Sequence, residues 1–78
     1  MKAQMMRVAC EYSFTTREQA EGAAKHRSLT ERNDMGNRVV AYVVETSRGW
    51  QALRECELPE DRGSYYLLGA YEKGQAYP

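Results

Sequence analysis

The order of apolar and polar positions predicts a strand, a helix and then three further strands. Over residues 5–14 every second residue is apolar, and a period of two is typical of a half-buried strand. The apolar side of this predicted strand consists of Met6, Val8, Cys10, Tyr12 and Phe14.

The segment after the first strand has the spacing of a helix. Thr15 and Glu18 fit a capping box, in which the threonine oxygen and the glutamate side chain satisfy free backbone N–H groups. Small residues recur on one narrow face, which lets a helix approach a sheet closely; these are Thr16, Ala20, Ala23 and Ala24. Arg27 returns to this face, so the pattern predicts that the helix ends near Arg27. A second capping box at residues 28–31 predicts a short extra turn, and Glu21 with Lys25 predicts an ion pair.

The second half of the chain predicts three strands. Residues 31–37 are polar and form a loop, and Val39–Thr46 is apolar on both faces, as a central strand is. A hairpin over residues 46–49 leads into a strand from Trp50 to Leu58. Each face of this predicted strand mixes apolar and charged residues, with Arg54 on the side of Trp50 and Ala52. Either Arg54 extends to solvent at a sheet edge or a bulge shifts the register.

A second loop, over residues 59–63, leads to the last predicted strand. That strand runs from Ser64 to Tyr71, and residues 72–78 are expected to form a tail. Alternation places Tyr65, Leu67, Gly69 and Tyr71 on one face. The predicted architecture is β-α-β-β-β: a single α+β domain over residues 1–78, with one helix packed on a four-stranded, mainly antiparallel sheet.

Composition narrows the function classes. The chain has 78 residues, and 11 basic side chains balance 11 acidic ones, so a strongly basic nucleic-acid binder is excluded. The longest apolar run, residues 39–44, is far shorter than the roughly 20 residues of a membrane span. No apolar leader stands near the first residue, which predicts a cytoplasmic protein.

Residues with catalytic or metal-binding chemistry are few. The single histidine, His26, and the two cysteines, Cys10 and Cys56, do not form a zinc pattern. In a reducing cytoplasm we expect both cysteines to be buried thiols, with a disulfide between them as the alternative. Glu55 and Glu57 are a carboxylate pair that suits a solvated sheet face better than acid–base chemistry in so small a domain. We therefore expect neither an enzyme, nor a cofactor, nor a metal.

The residue types that favour protein interfaces give a candidate contact surface. Arginine and tyrosine are common at interface hot spots, and Arg48 lies at a predicted hairpin tip beside Trp50. Trp50 itself is expected to anchor the core. The adjacent tyrosines point one to each face of the sheet, which makes the sheet face away from the helix a candidate surface. The proposed partner-binding residues are Arg7, Arg48, Arg54, Tyr65 and Tyr66.

The stretch from Thr15 to Leu53 resembles two known groups. It carries the alanine-faced helix, the paired valines Val39-Val40 and Val43-Val44, and the hairpin that ends in Gly49-Trp50. It looks like the small anti-CRISPR proteins of phages and mobile elements, and like the sporulation-related repeat that binds peptidoglycan. The repeat has a second helix where this chain has residues 59–63 and a tyrosine-rich strand. The first resemblance implies a non-enzymatic inhibitor that blocks a bacterial CRISPR effector or its nuclease, in the host cytoplasm.

The alternative function is a small module that binds a nucleic-acid backbone. The first half of the chain, through Arg38, has seven basic and five acidic residues, against four and six in the second half. The helix and the following loop carry most of the excess, in Arg17, Lys25, Arg27, Arg32 and Arg38. Either function is compatible with a monomer or a homodimer.

Overall fold

The computed structural model describes residues 13–77, in which one helix packs across a five-stranded antiparallel sheet. The elements are β1 (Ser13–Phe14), α1 (Arg17–Thr30), β2 (Ala41–Thr46), β3 (Gly49–Arg54), β4 (Tyr65–Glu72) and β5 (Gln75–Ala76). Single turns of 3-10 helix occupy Glu55–Glu57 and Arg62–Ser64. The predicted α+β architecture is confirmed. The remainder of the predicted first strand, with Arg7 and Cys10, lies outside the described residues.

Helix α1 begins one residue later than predicted and ends three residues later. Its N-cap is Thr16, whose hydroxyl oxygen accepts from the backbone N–H of Gln19 at 3.2 Å. The Thr-x-x-Glu/Gln pattern occurs in two overlapping frames, and the second is the one used. The helix runs through Arg27 to Thr30 in place of the predicted extra turn. The predicted pairing of Glu21 with Lys25 was wrong, because Glu21 instead pairs with Arg17, one turn earlier, at 3.0 Å.

The strand order is β1-β3-β2-β4-β5, so β2 is central, as its apolar faces predict. The β2–β3 hairpin turns at Ser47-Arg48, which confirms the predicted turn. The expected tail instead returns on the sheet: Lys73 and Gly74, both at positive φ, turn the chain so that β5 pairs with the end of β4.

The core between helix and sheet is built from small side chains. Its buried residues are Ala20, Ala24, Ala41, Val43 and Ala52. Larger, partly buried side chains close its margins, among them Phe14, Trp50, Leu68 and Tyr71. Trp50 thus packs against the core as predicted, although it remains half-buried. In the described part of the chain no helix is long and apolar enough to cross a bilayer.

A bulge in β4 changes which of its side chains share a face. Leu67 pairs with Val44, but Gly69 pairs with Val43, so Leu68 is an extra residue. Tyr65 and Leu67 therefore lie on the face away from the helix, whereas Gly69 and Tyr71 lie on the helix side. The prediction that all four share one face was wrong because alternation along a sequence does not register an inserted residue.

Strand β3 is shorter than predicted because the chain leaves the sheet after Arg54. The next residues form a 3-10 turn closed by Glu57, whose carboxylate accepts from the backbone N–H of Arg54 at 2.9 Å. Gly49–Arg54 pairs with β2 without a bulge, so the alternative of a register shift does not apply to this strand. Arg54 is the last residue of β3, on the same side as Trp50 and Ala52, and its side chain is partly exposed.

Gly49 is the glycine on which the hairpin depends. Its φ is +120°, and a Cβ there would lie 2.6 Å from the carbonyl oxygen of Phe14. We expect Gly49→Ala to lower the free energy of unfolding by about 1–3 kcal/mol, measured by urea denaturation. Gly22→Ala is the matched control: that position is helical, exposed and clear of neighbours, so it should gain about 0.5–1 kcal/mol. Equal effects of the two substitutions would contradict this account.

Candidate protein-contact surface

Three of the predicted contact residues lie at one end of the sheet. Arg48 is at the tip of the β2–β3 hairpin, and its backbone N–H donates to the hydroxyl oxygen of Thr46 at 3.1 Å. Thr46 in turn pairs with Tyr65 at the start of β4, next to Tyr66. The fold therefore brings Arg48 to the same end as the adjacent pair Tyr65 and Tyr66, although residues 49–64 separate them in the chain.

The first half of β4 exposes large side chains on both faces of the sheet. Tyr66 is 74% exposed and Leu67 is 58% exposed, although both belong to a strand. Tyr66 pairs with Glu45 on the helix side, and Leu67 with Val44 on the other side. We refer to Arg48, Tyr65, Tyr66 and Leu67 as the hairpin-end surface. Leu67 was missed in the sequence, where an apolar residue in a strand is read as core.

The outer backbone edge of β4 adds hydrogen-bonding groups to this surface. Among residues 13–77, β5 pairs only with Tyr71 and Glu72, and the Tyr77 N–H donates to the Ala70 carbonyl at 2.8 Å. On this outer side no described strand lies beside the segment from Tyr65 to Gly69, whereas its inner side pairs with β2. An exposed strand edge presents unpaired N–H and C=O groups that an extended segment of another chain can pair with.

The centre of the sheet face away from the helix is not available for contact. Val44 is fully buried and Leu53 is 3% exposed, and both lie on that face. The prediction that this whole face is a contact surface is therefore replaced by a smaller surface at the hairpin end.

The remaining predicted contact residues lie elsewhere. Arg54 ends β3 at the opposite end of the sheet, about 17 Å along the strand from the hairpin. Its guanidinium approaches the carboxylate of Glu31 at 3.8 Å. Arg7 lies outside the described residues.

Next to Arg54, a buried arginine joins the helix to the end of β3. The side chain of Arg27 is only 4% exposed, and two carboxylates each bind it through two N–H groups. Glu31 accepts at 2.7 and 2.9 Å, and Glu57 also accepts at 2.7 and 2.9 Å. A further N–H donates to the Ala52 carbonyl at 2.8 Å. We refer to Arg27, Glu31, Glu57 and Arg54 as the ion-pair cluster.

Mutual hydrogen bonding in the ion-pair cluster outweighs the cost of burial. Burial by itself disfavours both charged forms, but the hydrogen bonds between the side chains favour them more strongly. The pKa of the Arg27 guanidinium is therefore raised, and the pKa of the Glu57 carboxyl is lowered below its ordinary value of 4.5. Glu57, one of the two carboxylates considered for acid–base chemistry, is committed to Arg27 and to the backbone of Arg54.

The same contacts reduce the basic surface considered for nucleic acid. Arg27 is inside the protein, and Arg17 pairs with Glu21. Arg32 donates to the Gly36 carbonyl at 2.9 Å, and Arg38 donates to the Leu29 carbonyl. Two of the five cations, Arg17 and Arg27, are therefore paired with carboxylates, whereas Arg32 and Arg38 bind neutral carbonyls and keep their charge.

Cys56 was expected to be buried, but it is an exposed free thiol in the turn after β3. The strand that was to bury it ends at Arg54. Cys10 lies outside the described residues. Within residues 13–77 there is no cluster of three or more histidine, cysteine or acidic side chains that could hold a metal ion.

Comparisons with known proteins return no relative. No protein-family model matches the chain, and neither curated proteins nor solved structures yield a significant match.

Removing the buried arginine should cost much more stability than removing an exposed one. We expect Arg27→Met to lower the free energy of unfolding by about 3–5 kcal/mol, because two part-buried carboxylates lose their partner. Arg17→Met removes an exposed ion pair of the same helix and should cost less than about 1 kcal/mol. Urea denaturation of both variants checks this, and similar costs would show that the cluster is not a principal support.

The lowered pKa of Glu57 predicts a specific dependence on acid. A carboxyl with a lowered pKa in the folded state contributes stability above its ordinary value, and that contribution is lost as the pH falls through the folded-state pKa. We expect the wild-type free energy of unfolding to decline below pH 4.5, and Glu57→Gln to lack part of this decline. Glu60→Gln, at an exposed position outside the cluster, should keep the wild-type slope.

Proposed function

We propose that this protein is a non-enzymatic inhibitor that acts by binding a protein partner through the hairpin-end surface. The partner we propose is a bacterial CRISPR effector complex or its nuclease, as the resemblance to anti-CRISPR proteins implies. The proposed setting is the cytoplasm of a host bacterium.

One observation carries the proposal: neighbouring large side chains are exposed on both faces of the half of β4 that β5 does not cover. Tyr66 and Leu67 leave apolar surface in water beside an outer backbone edge that no strand within residues 13–77 covers. Adjacent exposed apolar residues at a sheet edge favour aggregation unless a partner covers them. A protein partner can cover the exposed apolar side chains and also form hydrogen bonds with the backbone edge.

The charges near this surface fit a protein partner better than a nucleic acid. Arg48 supplies a cation at the hairpin tip, and Glu45 on the neighbouring strand supplies an anion between Trp50 and Tyr66. A surface with both signs and with tyrosine is typical of protein interfaces, in which local complementarity sets the orientation. Phosphate binding would require an excess of cations.

The test is interference with CRISPR immunity in cells, followed by direct binding. We expect expression of this protein to restore transformation by a targeted plasmid in a strain that carries a susceptible CRISPR system. The purified effector or nuclease of that system should then bind the protein, and Tyr66→Ala with Leu67→Ala should weaken binding by about thirtyfold or more.

Met35→Ala is the matched control, because Met35 is 83% exposed but lies in the loop after the helix. It should leave inhibition and binding unchanged. If the folded protein inhibits none of a panel that spans the CRISPR types, the proposed partner is wrong. If Met35→Ala and the β4 double variant have equal effects, the proposed surface is wrong.

A further inference from the structure

We propose that the cleft beside Arg54 binds a small organic anion, in which a carboxylate or phosphate group is joined to an apolar body. The cleft has a volume of about 370 Å³ and lies between the loop after α1 and the end of β3. This volume falls within the range of about 300–1,000 Å³ that is typical of small-molecule sites.

Three residues whose side chains carry hydrogen-bond donors line this cleft. They are Arg38 and Arg54, each with a guanidinium group, and Asn33, with an amide. A guanidinium carries five N–H donors in a planar fork, which matches the oxygens of carboxylates and phosphates. Two guanidinium-bearing residues in one cleft favour a ligand that is anionic and has several hydrogen-bond acceptors.

Most of these donors are not used within the described protein. Arg38 makes one hydrogen bond, to the Leu29 carbonyl. The Arg54 guanidinium approaches Glu31 at 3.8 Å and its charge acts on Glu57, but it makes no side-chain hydrogen bond within residues 13–77. The side-chain oxygen of Asn33 accepts from the backbone N–H groups of Met35 and Asn37 at 2.9 and 3.0 Å. These bonds hold the Asn33 side chain in place and leave its NH₂ group for other acceptors.

The other residues that line the cleft indicate what the rest of the ligand should be. Val40 and Tyr42 are half-buried and supply an apolar side to the cleft. Glu55 also lines it, and its negative charge opposes an anionic ligand. Removing the charge of Glu55 should therefore raise the affinity for the anion, whereas removing the charge of an arginine should lower it.

This site is separate from the hairpin-end surface. Arg54 and the hairpin tip occupy opposite ends of β3, so a ligand in the cleft leaves Tyr66 and Leu67 uncovered. The proposal therefore does not depend on the proposed function, and neither outcome decides the other.

The experiment is a titration with benzoate and with phenyl phosphate at constant ionic strength, followed by amide chemical shifts. Benzamide is the neutral control of the same shape as benzoate. We expect one or both anions to shift the amides of residues 33–42 and 54–56, with a dissociation constant of about 1 mM or lower. The anion that binds more tightly assigns the site to carboxylates or to phosphate esters.

Variants then test the roles of the individual side chains. Arg38→Gln and Arg54→Gln should each weaken binding by about tenfold, and Glu55→Gln should strengthen it. Arg62→Gln, on the exposed 3-10 turn before β4, should change nothing. Melting temperatures identify any variant whose fold is disturbed. If an arginine variant is disturbed, the proposal is judged by whether Glu55→Gln strengthens binding.

The exposed thiol of Cys56 gives a second readout, because it lines the same cleft. Bound anion should slow its alkylation by a neutral maleimide, and benzamide should not. The proposal is overturned if neither anion shifts the cleft amides at about 10 mM, if benzamide binds as well as the anions, or if Glu55→Gln weakens binding.

Discussion

The tie between Arg27 and its two carboxylates is the interaction on which the rest of the structure depends. The core between helix and sheet consists mainly of alanines, each of which buries little apolar area, so side-chain burial alone attaches the helix weakly. Arg27 adds an attachment of another kind, since a single guanidinium joins Glu31, Glu57 and the Ala52 carbonyl. Its position at the end of the helix also fixes where β3 must stop.

The ion-pair cluster shapes the chemistry at that end of the molecule. Glu57 reaches Arg27 from the 3-10 turn that follows Arg54, and this departure from the sheet leaves Cys56 exposed and places Glu55 and Cys56 along the cleft beside Arg54. A buried ion pair is not in general more stabilising than well-packed apolar residues. Here its effect is geometric, because paired hydrogen bonds to a planar group specify one arrangement of helix and turn, which a smooth alanine surface does not.

The two ends of the sheet therefore differ in character. One end is held by charge and carries donors around a cleft. The other has a hairpin, two tyrosines and an exposed leucine beside an outer edge of β4 that no described strand covers. The proposed partner and the proposed anion would occupy opposite ends, so a small domain has room for both.

The sequence by itself determined the fold class, the central position of β2, the β2–β3 hairpin and the core role of Trp50, because these follow from local periodicity and turn chemistry. It also indicated that Arg27 lies on the apolar stripe, but it did not identify the carboxylates that make this position tolerable. Only the tertiary structure decided that Glu57, thirty residues away, is one of them, that β4 contains a bulge, and that residues 75–76 form a strand. It also separated Arg54 from Arg48 and exposed Leu67. The physical reason is that pairing between distant residues is set by the register of neighbouring strands and by where a buried charge finds its counter-charge, and neither leaves a periodic signal along the chain.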